Sequence, residues 1–473
     1  MFNNELLLTA YGEEVYDPRY TLSFVASKDG SGVNFFPRVN SSLNDPSLYK
    51  VYINGKKTNL AFTGLTFSQG DEVKVINKNE RGFSGLTFSN NDYCYSLSQL
   101  PYCVGSNGSA TTVFESLFNG CKSLTVIPDD LFANNTEVKY LSSTFNNCSG
   151  LTSVPENLFS SITKATTLTS IFTNCSSLTY VPDSLFANNV KVTTFSNTFN
   201  GCEKLTAIPE NLFANNASVT TFEYTFSYCA VTAIPENLFA NNTKVTSFNS
   251  TFRSCNELTA IPENLFANNA SVTTFSGTFA SCGKLTSIPS DLFANNKEVT
   301  DLSSVFYSCS ALTTIPEGIF ANNTKVTTFV SVFNGCGKLT SIPSDLFANN
   351  KEVTNLNGAF EGCKGLTSVP SGLFDNNTKV TNCWSLFRDC KGLTSIPEDL
   401  FANNTEVTQF VLTFFGCDKL SCRVKIGSPN VTNCSNFCKG TGAMTVIVPA
   451  GSTTETTFRN YAETVSNLTV ETF

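Results

Sequence analysis

The sequence predicts a β/α solenoid of 27-residue rungs preceded by a small all-β domain, and three observations carry that prediction. Twelve prolines from Pro101 to Pro397 fall 27 residues apart, except for one interval of 26 between Pro209 and Pro235. Thirteen cysteines from Cys94 to Cys417 keep the same interval. Between them apolar residues recur at fixed places, so a unit begun at Cys reads C-x-x-L-T-x-I-P-x-x-L-F-A-N-N-x-x-V-T-x-F-x-x-T-F-x-x. A period this regular marks a solenoid, in which no unit buries its apolar face alone and each is covered by its neighbours.

Each element of the rung follows from its residues. L-T-x-I alternates apolar and polar, the pattern of a short strand. Proline ends it, and its missing N–H suits the first turn of a helix. An acid often follows, as in Glu210, Glu236, Glu263 and Asp291, where it would complement a helical N-terminus. Asn-Asn closes that turn, because Asn tolerates left-handed backbone. V-T-x-F is a second extended piece. From its Phe, the next Phe and the next Cys lie at i+4 and i+7, a helical spacing, so a last helical turn is expected there. Stacked rungs are expected at roughly 4.8 Å. The single 26-residue unit loses one residue at Cys229-Ala230-Val231.

The column residues have a structural and a functional reading. Two columns, Phe118 to Phe414 and Phe132 to Phe401, take 23 of the 42 Phe. Regular columns form a spine, whereas stacking on bases or sugars would need them outside. The cysteines read as a buried ladder of free thiols; the alternatives are a redox relay, a metal site or disulfides. In-register stacking rarely gives the torsion that a disulfide needs. Of the cysteines off the column, Cys383 and Cys434 replace Phe in V-T-x-F and Cys438 falls in the other Phe column. Cys434 and Cys438, four apart, are the weak metal alternative. The Thr after Leu and the paired Asn read as inter-rung ladders, against glycosylation of triplets such as Asn134-Asn135-Thr136. The variable position two residues after the x of V-T-x-F holds Ser196, Glu223, Asn249, Ser276, Val330 and Trp384. Trp384, the one Trp of the chain, is the candidate binding residue, an exposed contact anchor. The alternative is a packing variant beside Cys383.

Composition limits function. There is no His, which removes the commonest general base and zinc ligand. No nucleophile, base and orienter share a spacing, so no enzyme and no cofactor are expected. A net charge of −8 without a basic block argues against nucleic acid, and no apolar stretch reaches membrane-spanning length. The N-terminus lacks the basic start and apolar run of a signal peptide, so the sequence as it stands reads as leaderless.

Four regions are expected. Residues 1–19 form an arm. Residues 20–93 form a small β-sandwich-like anchoring domain, with strands at Tyr20–Val25, Tyr49–Ile53 and Glu72–Ile76 and a hairpin turn at Asn54-Gly55. Residues 94–440 form the solenoid. Residues 441–473 form a cap, with a strand at Met444–Val448 before Pro449, a polar tail after Gly451, and a final strand near Leu468–Phe473.

The unit L-T-x-I-P…V-T-x-F-x-x-T-F-x-x-C resembles the BspA-like leucine-rich repeat and the related repeat of mycoplasma-type surface lipoproteins, and V-I-V-P-A-G-S is similar to that family's closing repeat. The resemblance spans about 94–460, with a unit lengthened by L-F-A-N-N. It implies a leucine-rich-repeat-like solenoid that binds host or matrix proteins and carries no catalytic residues. Such repeats also occur in phages of gut bacteria, including crAss-like phages, and a leaderless chain departs from the exported bacterial members. The resemblance therefore implies a virion surface protein: a head fibre, decoration or tail-associated fibre. Its N-terminal region would meet other virion proteins, and its solenoid a host-surface or matrix glycoprotein or glycan. Homo-oligomerisation is an open expectation. The alternatives are a bacterial cell-surface adhesin and an intracellular protein-binding scaffold.

Overall fold

A computed structural model describes residues 21–26, 30–33, 49–58, 65–77, 83–84, 94–97, 103–104 and 110–473. The expected arm, 1–19, lies outside the described residues. The chain divides into two compact units, 1–205 and 206–473.

Unit 1 opens with β-structure. Strands β1 (Thr21–Ala26), β3 (Tyr49–Ile53), β4 (Lys56–Lys57), β6 (Glu72–Asn77) and β8 (Cys94–Leu97) form an antiparallel sheet in the order β4-β3-β6-β1-β8. Leu22, Val51, Val73 and Val75 are buried, as period-two alternation requires. Asn54 and Gly55 both have positive φ, 48° and 74°, the geometry of the tight turn expected of Asn-Gly. Two further pairs are β2 (Gly30–Val33) with β5 (Leu65–Phe67), and β7 (Phe83–Ser84) with β9 (Cys103–Val104).

Cys94 keeps the 27-residue interval and also lies in β8, which pairs with β1. Among the described residues, Val113 is bridged in parallel to Tyr140, and Tyr140 to Thr167.

The rungs are built almost entirely of turns. V-T-x-F carries the stronger inter-rung pairing. In unit 2 the x residues Thr221, Ser247, Thr274, Asp301, Thr328, Asn355, Asn382, Gln409 and Asn433 are bridged in parallel, each to the next. The L-T-x-I side pairs less. Its Thr N–H bonds stretch to 3.5 Å between Thr286 and Thr259. The shortened unit keeps register by dropping its turn after Cys229, so that Val231 fills the leucine column and Thr232 N–H still meets the Thr206 carbonyl at 3.1 Å.

The last helical turn of the rung is absent. Among the described residues the repeats contain no α-helix, so the β/α expectation becomes a solenoid of short bridges and turns. The reason is backbone handedness. Each rung places two residues four apart at positive φ, as at Ser250 (53°) and Ser254 (58°), which no right-handed helix tolerates. N–H groups then alternate in direction. Phe248, Ser250, Phe252 and Ser254 donate to the following rung, whereas Thr251, Arg253 and Cys255 donate three residues back. The i+4 and i+7 spacing reflects this four-residue turn repeat.

The core is two aromatic stacks. In unit 2 the rings from Phe226 to Phe414 stack 5.5–6.0 Å apart. Those from Phe213 to Phe401 stack 5.9–6.4 Å apart. Both exceed the strand spacing of roughly 4.8 Å. Unit 1 has the same stacks, as in Phe118–Phe145–Phe172–Phe199. Each buried Phe contributes about 1.5–3 kcal/mol.

Unit 2 closes with a cap. Strands β10 (Cys422–Lys425), β11 (Met444–Val448) and β12 (Leu468–Thr472) form a parallel sheet. The cap therefore reaches back to Cys422, before the expected boundary at 441. Between β11 and β12 lies α1 (Thr453–Ala462), where a polar tail was expected. Ser452 caps it by accepting the Glu455 N–H, and Glu455 reaches back to the Gly451 N–H. Phe458 buries against Phe437 with ring centroids 5.2 Å apart, covering the end of the aromatic stack.

Candidate binding surface

The rung decides which side chains are available for recognition. Cysteine is not among them. Cys255, Cys282, Cys309, Cys336, Cys363, Cys390 and Cys417 are free and buried, and each thiol donates to the carbonyl of the column Phe one rung earlier at 3.0–3.3 Å. Burial pushes the Cys309 thiol up to about 12, so it is a poor nucleophile. Cys148, Cys175 and Cys202 do the same in unit 1. Cys383, Cys434 and Cys438 are also free and buried. Among the described residues no group of three or more His, Cys, Asp or Glu is placed to hold a metal.

The paired Asn form two ladders. The second Asn is buried: Asn323 Nδ2 donates to the Phe293 carbonyl at 3.1 Å and to the Asn296 carbonyl at 2.9 Å. The same pair of bonds recurs at Asn242, Asn269, Asn296, Asn350, Asn377 and Asn404. The first Asn works at the surface, as Asn241 does on the Ala214 carbonyl. The amide that a glycan would need is thereby engaged at Asn241-Asn242-Thr243. The acids after proline bridge rungs, as where Glu236 accepts from Asn264.

What remains outward is the V-T-x-F-x edge, and its two exposed positions differ in freedom. Position x is Thr, Ser, Asp or Asn in most rungs because its side chain accepts the N–H two residues on. Asp301 takes Ser303, Asn355 takes Asn357, Asn382 takes Trp384 and Asn433 takes Ser435, at 2.8–3.0 Å. Position x+2 has no recurring duty of that kind: Asn357 accepts the Trp384 N–H of the next rung, Glu223 and Ser303 bond to neighbouring side chains, and the residue type varies. It carries Glu223, Asn249, Ser276, Ser303, Val330, Asn357, Trp384, Val411 and Ser435. Trp384 is held only through its backbone, its N–H donating to both Asn357 and Asn382. It is 49% exposed.

Charge gathers beside it. Arg388 pairs with Glu361 at 3.4 Å and with Asp389 at 3.3 Å, and lies 5.5 Å from the centre of the Phe415 ring. Burial raises the Glu361 carboxyl, and Arg388 opposes that rise.

Unit 1 presents an outward set that the sequence reading passed over. Val113 and Tyr140 stand at position x, 46% and 42% exposed, and Tyr180 on the L-T-x side is 60% exposed. The signal was present: the later rungs carry small or polar residues in these columns, such as Ala207, Ala233 and Ala260 after Tyr180 and Thr221, Ser247 and Thr274 after Tyr140. Among the described residues no helix is long and apolar enough to cross a membrane.

No curated protein matches the chain. Among solved structures, the Toll–Spätzle complex of Drosophila matches at 18% identity and a TM-score of 0.39, over 65% of this chain and 38% of that one. A TLR13–ssRNA13 complex matches at 12% identity and a TM-score of 0.30, over 84% of this chain and 67% of that one. This chain thus spans about two fifths of the first and two thirds of the second. The profile of the BspA-type leucine-rich repeat region matches six copies, over residues 87–249, 164–300 and 206–415. With its inward columns fixed, its rungs stacked in register and most of its length matched, the chain belongs to the BspA-type leucine-rich repeat family.

Proposed function

We propose that this chain is a non-enzymatic display protein whose rungs hold out a recognition surface, and that it does so on a phage particle as a head fibre, decoration or tail-associated fibre. The observation that carries the recognition role is the contrast between positions x and x+2. Position x repeats one capping bond to the N–H two residues on, while x+2 repeats none, ranges from Ser to Trp, and includes the exposed Trp384. Aromatic side chains in such places anchor protein and glycoprotein partners. The particle follows from the resemblance to repeats carried by phages, with the N-terminal region as the attachment to other virion proteins. The adhesin reading keeps the same surface and changes the carrier.

Mass spectrometry of purified particles from the source phage tests the carrier. The protein is expected among the structural components. Its absence there, with recovery from the bacterial cell surface, replaces the virion reading with the adhesin. For the surface, Trp384→Ala should weaken binding of the full chain to host cells by more than about tenfold and leave thermal unfolding unchanged. Unaltered cell binding would remove Trp384 from the interface.

A further inference from the structure

The last rung of unit 2 and α1 line an open surface cleft of about 460 Å³, within the volume range of small-ligand sites. The rung supplies Asn433, Ser435 and Asn436, and the α1 side supplies Asn460, Tyr461 and Thr464. No Asp, Glu, Lys or Arg lines it. Amides and hydroxyls both donate and accept, so this lining matches a neutral ligand rich in hydroxyls. An ionic ligand would find no opposite charge. Some of the polar groups are used internally: Asn433 Oδ1 accepts the N–H and hydroxyl of Ser435, and the Thr464 hydroxyl donates to the Tyr461 carbonyl. The side-chain amides of Asn436 and Asn460 are exposed and hold no partner among the described residues.

A second feature leads away from the cleft. Ser435, Val411 and Trp384 occupy position x+2 in consecutive rungs, joined where Leu412 N–H meets the Ser435 carbonyl at 3.0 Å and Ser385 N–H meets the Val411 carbonyl at 2.9 Å. Val411 and Leu412 are half-buried and Trp384 is exposed. An apolar strip therefore runs from the cleft to an indole roughly 10 Å away at strand spacing. A sugar ring presents hydroxyls at its edge and C–H groups on its face, and aromatic rings stack on such faces while polar groups take the edge.

We propose that the cleft between the last rung and α1 is a subsite for a neutral sugar residue, and that the rest of the glycan runs over Val411 to stack on Trp384. This deepens the recognition role proposed above and rests on it. The full chain is applied to an array of neutral gluco-, galacto- and manno-oligosaccharides beside sulfated and sialylated counterparts, and the tightest neutral member is titrated by calorimetry. Neutral oligosaccharides are expected to bind. Asn460→Ala combined with Asn436→Gly, a residue that accepts the positive φ at 436, should weaken them about tenfold or more, the effect of losing one or two hydrogen bonds. Trp384→Ala should weaken an oligosaccharide but not the matching monosaccharide. Unchanged unfolding midpoints in these variants are expected. Binding confined to charged glycans, no binding at all, or full binding by the double variant overturns the subsite. Host-cell binding that survives both the double variant and deglycosylation of the cells overturns the subsite while leaving the display role standing.

Discussion

Backbone handedness is the constraint that single residues feel most. The turn after V-T-x-F needs positive φ at two places per rung, filled by Gly, Asn and Ser in most rungs but by Tyr at 224 and 228, by Asp at 389 and by Leu at 412. Tyr228 has φ 58° and is half-exposed, so its side chain adds strain with little burial in return. Tyr228→Gly is expected to stabilise the protein by about 0.5–1 kcal/mol, seen as a higher denaturant midpoint. A lower midpoint would show that the tyrosine packs more than its exposure implies. The reverse holds at Gly416, with φ 71°, where an added Cβ would run into the Asp389 carboxylate. Gly416→Ala should destabilise, by strain and by clash together.

At the scale of the element, the two Asn ladders have the same sequence signature and unequal energetic weight. Asn323 is a second donor to two carbonyls in the dry interior, which also accept the Asn296 and Val299 N–H groups, so Asn323→Ala removes two buried bonds and should cost about 1–3 kcal/mol. Asn295, exposed, holds one carbonyl of Ala267 at 3.0 Å, and Asn295→Ala should cost less than about 0.5 kcal/mol because water replaces the bond. Equal costs in urea unfolding would place both Asn in the same environment. The helix cap gives a third measurement: Ser452→Ala should cost about 1 kcal/mol. These elements also show what the sequence could reveal. Column identity, strand positions at Tyr49–Ile53 and Met444–Val448, and the ladders were legible because burial imposes a period. The α1 helix was legible too, since Ser452-x-x-Glu455 is a capping box, but its hydroxyl-rich run reads as a polar tail. The cleft beneath it was therefore hidden. The handedness of the turn after V-T-x-F was not legible, because Ser at 250 and 254 reports no φ and the four-residue spacing imitates a helix. Trp384 stood out by composition alone, whereas Tyr140 and Tyr180 needed the outward columns to be known.

Across the whole molecule the cysteine ladders make stability depend on pH in one direction. Burial holds the Cys175, Cys309 and Cys417 thiols at about 12, against about 8.5 for a thiol in an unfolded chain. The folded pKa is the higher one. Its contribution is then fully present below about pH 8.5 and is lost as pH rises toward the folded value. In that window the unfolded chain has released protons that the folded chain keeps, so stability falls by up to about 1.4 kcal/mol per pH unit for each thiol. Even three thiols give a slope of about 4 kcal/mol per unit, enough to unfold a domain of ordinary stability before the folded thiols themselves titrate. Urea midpoints are therefore expected to stay level from pH 7 to 8 and to drop steeply between 9 and 10.5, with thiols reacting with an alkylating reagent only as the protein unfolds. Lysine and tyrosine also titrate in this range, and Cys309→Ala separates them. That variant should lose stability at pH 7 through its cavity, yet show a shallower alkaline slope by the share of one thiol. A slope that Cys309→Ala leaves unchanged would mean that this thiol ionises as readily folded as unfolded, and the buried ladder would then not be what couples this protein to pH.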